Sequence, residues 1–188
     1  MSPTPESPDT ALLVMDFQPE IVSRVGEEVL EPIQRAIATA RRHGFLVIFI
    51  KVGFRPGYPE VSPANRAFSA LASGGAFVGD ASRLHPALTV EPGDLEVTKK
   101  RISAFAGNDL EMILRARRIR TLVLSGISTS GVVLSTVRAA ADLDYRVLVL
   151  RDCCADRDSE VHRVLLDKVF PRQAEVIDAR RWAEDLGG

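Results

Sequence analysis

Apolar runs alternate with helical stripes along this chain. "TALLVMD" carries no polar alternation, so it reads as a strand buried on both faces. Val29, Ile33 and Ile37 then recur every four residues, predicting an amphipathic helix that closes near "RRHG", with Gly44 as its stop. "FLVIFIKV" is a second strand and "LEVTKK" a third. "NDLEMILRARR" puts Leu110, Ile113 and Leu114 on one helical face, with Asn108 as the expected N-cap. "RTLVLSG" is a fourth strand, Ser128 to Asp144 a long helix, and "RVLVLRD" a fifth strand. A helix from Ser159 to Phe170 is expected to stop at Pro171. "AEVID" is a sixth strand, and "ARRWAEDL" closes the chain. Strands alternating with helices predict an α/β protein, a parallel sheet with helices on both faces.

Punctuation concentrates between residues 53 and 93, in "GFRPGYPEVSPANR", "SGGAF" and "HPALTVEPGD". This is too long for an ordinary connection, and reads either as a wall of a site or as a solvated insertion. The opening "MSPTPESPDT" has no basic start and no apolar run, so it is not read as a signal peptide. Residues 1–9 are expected to be a flexible tail and residues 10–188 one domain, as a length of 188 suggests.

Composition narrows the partners. Basic and acidic residues number 24 and 25, which gives no reason to expect nucleic acid or an anionic membrane. Aromatic residues are sparse, and no segment has the length of a membrane span. A small molecule is the expected partner. Cys153 and Cys154 are adjacent, so no disulfide framework is expected and the cytoplasm is the expected location.

In parallel α/β sheets ligands bind beyond the carboxyl ends of the strands. Polar residues at those ends are Asp16, Lys99 and Lys100, the stretch Gly126 to Ser130, and Asp152 with the two cysteines. A carboxylate and an ammonium in one crevice can move a proton or stabilise a developing anion; the plain alternative is a structural salt bridge. Arg55 and Tyr58 in the long loop are candidates to hold a substrate carboxylate or ring. His43, His85 and His162 are scattered and are read as surface or capping residues. No ligand spacing supports a metal, and "GISTSG" lacks the central glycine of a phosphate-binding loop, so no cofactor is expected.

Three blocks carry a resemblance. "LLVMDFQPEIV", "VTKKRISAFAGNDL" and "GISTSGVVLSTVRAAADLDYRVLVLRDCCADRD" resemble the motifs of the isochorismatase-like, or cysteine hydrolase, superfamily, in the right order. The likeness runs from about Ala11 to Ile177. It implies a single-domain, three-layer αβα, Rossmann-like fold with a six-stranded parallel sheet, and a homo-oligomer, dimeric or tetrameric. It implies Asp16 and Lys99 as the catalytic pair, with Lys100 solvated. It implies a substrate site built from Gln18, Ile127, Ser128, Thr129 and Gly131, with a cis peptide at Ile127–Ser128.

The resemblance also implies a departure. Amidase members carry a cysteine nucleophile six residues after the motif glycine, and the count from Gly126 lands on Val132. Valine cannot form an acyl-enzyme. Isochorismatases carry glycine there and need no nucleophilic side chain, because a vinyl ether is opened by protonation. The expectation is a metal-independent, cysteine-independent hydrolase with Asp16 as acid/base and Lys99 as electrostatic partner. The alternatives are a non-catalytic binding or interaction module, and a thiol role for Cys153 and Cys154.

Overall fold

The computed structural model describes residues 9–187. The expected N-terminal tail lies outside them except for Asp9, whose carbonyl accepts from the N–H groups of Arg120 and Thr121. Six strands form one parallel sheet: β1 (Thr10–Met15), β2 (Leu46–Val52), β3 (Leu95–Lys99), β4 (Thr121–Ile127), β5 (Arg146–Ala155) and β6 (Glu175–Ile177). Their spatial order is β3-β2-β1-β4-β5-β6. The order turns back on itself between β1 and β4, which opens a crevice at the carboxyl ends of these two central strands.

Side-chain alternation divides the core in two. Ala11, Leu13 and Met15 of β1 face α4 (Leu110–Ala116) and α5 (Leu134–Asp142). Leu12 and Val14 face the other side, where α2 (Leu30–Arg42), which follows the short α1 (Pro19–Val22), and α7 (Ala179–Asp185) pack. The α2 stripe of Leu30, Ile33, Ala36, Ile37 and Ala40 is buried as its spacing requires. Both faces are thus covered, which is why β1 and β4 read as unbroken apolar runs.

Several boundaries differ from expectation. Asn108 accepts a hydrogen bond from the Leu110 N–H, but it does so from an Asx turn one residue ahead of the formal cap, Asp109. The segment expected as one helix from Ser128 opens with a π-turn over Thr129–Val133 before α5. Pro171 does not stop the late helix at Phe170. There α6 (Ser159–Val164) passes into a π-turn, and Pro171 sits inside a final 3-10 turn, where its missing N–H is tolerated. Cys153 and Cys154 do not lie past β5 but within it. The β4–β5 register breaks so that Leu124 pairs with Val149 and Gly126 with Cys154.

The long connection folds on its own account. It contains α3 (Arg66–Ser73), capped by the Asn65 side chain, and its Phe54, Phe68 and Phe77 form a satellite core with Val52 of β2. At the central crevice the backbones approach closely. A Cβ on Gly126 would stand 3.0 Å from the Met15 carbonyl oxygen and 3.2 Å from Val132 Cγ1. Neither a strand backbone nor a packed valine yields freely. Gly126→Ala is therefore expected to lower stability by about 1–3 kcal/mol, measured as a fall in the urea midpoint at unchanged slope.

Candidate active site

Asp16 directly follows β1 and Lys99 ends β3, with β2 between them. Their side chains meet across β2, Lys99 Nζ standing 2.9 Å from Asp16 Oδ2. Both are buried, at 3% and 5% residue exposure. Lys99 also donates to the Arg101 carbonyl at 3.0 Å, so the ammonium is fixed from two sides. The Asp16 backbone takes a left-handed φ of 63°, and its N–H donates to the Ile50 carbonyl at 2.7 Å. Asp16 Oδ1 has no hydrogen-bond partner among the described residues. Burial pushes the Asp16 carboxyl up to about 6, although Lys99 pulls the other way by charge and hydrogen bond.

A cavity of about 220 Å³ opens beside this pair. Val52, Phe68, Leu71 and Phe77 give it apolar walls, and Ile127, Ser128, Gly131 and Val132 bring the β4 turn to it. Phe68, Leu71 and Phe77 come from the long connection, which is therefore a wall of the cavity rather than a plain solvated insertion. The Ile127–Ser128 peptide is cis. A Cβ on Gly131 would meet Ser128 Oγ at 2.7 Å, so a side chain there would turn the Ser128 hydroxyl aside.

Other expected site residues are placed elsewhere. Gln18 is fully buried and spends both ends of its amide on Val52, donating to its carbonyl and accepting from its N–H. It ties the segment after β1 to the end of β2. Arg55 points to solvent and pairs with Glu60 at 2.5 Å. Tyr58 donates its hydroxyl to the Ala76 carbonyl and packs on Phe54. Neither lines the cavity. Thr129 is fully buried behind the turn, its hydroxyl 2.7 Å from His162 Nδ1. Lys100 is not simply solvated: its Nζ donates to the Gly53 carbonyl and lies over the Phe54 ring.

The groups that join the motifs carry no signal in the sequence pattern. His162 holds the turn through Thr129, and Thr136 Oγ1 accepts the Ala104 N–H, linking "SAF" to α5. Arg24 and Arg157 line the cavity at its exposed rim. Cys153 and Cys154 are buried and absent from the lining. Burial holds the Cys153 thiol well above its usual range and pushes the Cys154 thiol up to about 12. Among the described residues, no three His, Cys, Asp or Glu side chains cluster as metal ligands, and no helix is long and apolar enough to cross a membrane.

This sheet, with its covering helices, defines an isochorismatase-like α/β protein. The structure of an isochorismatase family protein from Burkholderia thailandensis matches it with a TM-score of 0.83 at 28% identity, covering 96% of each chain. The chain belongs to the isochorismatase family, a family of hydrolases: residues 10–181 match the isochorismatase domain. It is similar to the isochorismatase family protein YwoC of Bacillus subtilis (strain 168), 33% identical over 87% of this chain and 86% of that one. It is also similar to the ureidoacrylate amidohydrolase RutB of Stutzerimonas stutzeri (strain A1501), 34% identical over 77% of this chain and 68% of that one.

The opposition of burial and Lys99 at Asp16 has a measurable sign. Carboxyl ¹³C NMR is expected to show Asp16 titrating near pH 6, with Lys99→Met moving it higher because desolvation is then unopposed. Titration near pH 4, or a downward move in Lys99→Met, would contradict this electrostatic account.

Proposed function

We propose that this chain hydrolyses a small molecule without a cysteine nucleophile, with Asp16 as general acid/base and Lys99 as its electrostatic partner. The bond is a vinyl ether or a related acid-labile bond. The observation that carries the reading is the pairing of a buried Asp16–Lys99 couple with a cavity whose lining contains Val132 and no thiol. By the motif count, Val132 occupies the position where amidase members keep their cysteine. The chain's two cysteines are buried away from the lining, with their thiols held in the protonated form. That leaves no thiolate to attack an amide.

The chemistry follows from the pair. Protonated Asp16 delivers its proton to the terminal carbon of the enol ether, leaving an oxocarbenium ion. Water adds to that cation and returns a proton to the Asp16 carboxylate. The resulting hemiketal collapses to an alcohol and a keto acid. An acid with a pKa near 6 suits this step: about a tenth of it is still protonated at pH 7, where an ordinary aspartic acid is almost wholly ionised, and it is strong enough to donate. When Asp16 becomes an anion, the ammonium at 2.9 Å stabilises it inside an apolar site, where charges interact strongly. Apolar walls such as Phe68 and Phe77 keep bulk water from competing.

Val132 also favours a second reading. A valine that fills the nucleophile position narrows the cavity, and suits a member that binds a small molecule without turning it over.

One assay separates the readings. Purified protein is offered isochorismate, as a vinyl ether carboxylate, and a panel of small amides, and pyruvate and ammonia are read together. Pyruvate release is expected, falling by about 10²–10⁴-fold in Asp16→Asn with native circular dichroism. Ammonia release abolished by the double Cys153→Ser, Cys154→Ser substitution would overturn the proposal. Binding of panel compounds with neither product would favour the binding protein.

A further inference from the structure

The rim of the cavity holds a cation that the proposed chemistry does not use. Three cationic side chains line this cavity: Lys99, Arg24 and Arg157. Lys99 is neutralised by Asp16 at 2.9 Å and Arg24 by Glu20 at 2.5 Å. Arg157 is exposed, and among the described residues its guanidinium has neither an ion pair nor a hydrogen bond. With Asp16 ionised, as it is above about pH 6, Arg157 is the one cation of the lining without a side-chain partner among the described residues, and it sits at the mouth.

The backbone around Arg157 is held on both sides. Asp156 Oδ2 accepts the Ser130 N–H at 2.7 Å, which ties the residue before Arg157 to the β4 turn. Asp158 Oδ1 accepts from the N–H groups of Glu160 and Val161, which caps α6. One turn into that helix, His162 reaches back to Thr129. Both acidic neighbours of Arg157 thus turn carboxylate oxygens to backbone N–H groups, and among the described residues neither pairs with the guanidinium. Ordering it on a ligand costs only side-chain freedom.

Polarity runs from floor to rim. At the floor stands buried Asp16, which repels an anion whenever it is ionised. Val52, Phe68, Leu71 and Phe77 form the walls. A ligand with an apolar body and an anionic head has one favourable orientation here, body inward and head at the rim. A guanidinium offers parallel N–H donors that match a carboxylate in bidentate geometry.

We infer that Arg157 is the specificity-determining anchor of this site, selecting small carboxylates with an apolar body; the inference rests on the hydrolase reading of the cavity. Its test reads binding alone, so it fails separately from that reading, which is judged by product release. Calorimetry compares benzoate with benzamide, a pair of nearly equal shape that differs in charge, on wild type, Arg157→Met and Arg157→Lys. Benzoate is expected to bind at least about tenfold more tightly than benzamide, the scale of a charge-assisted hydrogen bond. Arg157→Met should remove that margin while leaving benzamide unchanged, and Arg157→Lys should keep part of it. Because Arg157 is exposed and unpaired, these variants are expected to fold as the wild type does. Equal binding of the two probes, benzoate affinity unchanged in Arg157→Met, or no benzoate binding at millimolar concentration would each overturn the assignment.

Discussion

The site depends on one buried ion pair. Asp16 and Lys99 leave water together, and neither is tolerable there alone: an unpaired buried charge is among the costliest features a fold can carry. The pair thus couples the segment after β1 to the end of β3 across β2. Gln18 reinforces this coupling through the backbone of Val52, and the narrow approach at Gly126 brings β4 against the same point. The balance within the pair is unequal. Desolvation outweighs the ammonium, so the carboxyl titrates near neutrality rather than far below it. A structural salt bridge has no need of that poise, whereas a proton donor does.

How much of this was legible in the sequence follows from the range of each interaction. The six strands were readable because a sheet covered on both faces demands unbroken apolar runs. Asp16 and Lys99 were readable because each stands at a strand end inside a motif. Arg55 and Tyr58 were misplaced because their surroundings are made by the long connection itself. Glu60 captures the one and the Ala76 carbonyl the other, and nothing in their spacing announces either partner. The cavity walls Phe68, Leu71 and Phe77 sit in the same stretch. Their one signal was the unusual number of large apolar residues between so many turn formers. His162 met Thr129 only through tertiary packing, since the two are 33 residues apart. The π-turns after Ser128 and Val164 were hidden for another reason: their side-chain pattern is that of a helix.

The departures are as informative as the matches. A family of hydrolases whose relatives include an amidohydrolase is represented here by a chain with two cysteines, both inside β5 and away from the cavity. The apolar lining, the poised carboxyl and the free rim arginine belong together under the proposed chemistry. On that proposal the site holds an apolar carboxylate by its head and offers it a proton from the floor.

The central claim is that the proton of Asp16, and no thiolate, drives turnover. The pH dependence of kcat/KM on the vinyl ether substrate tests it most directly, because the two routes have opposite signs. A general acid must be protonated, so the account predicts a rate that falls as pH rises through about 6, the value burial sets for Asp16. A rate that instead climbs toward alkaline pH and is abolished by iodoacetamide would belong to a cysteine, and would contradict it.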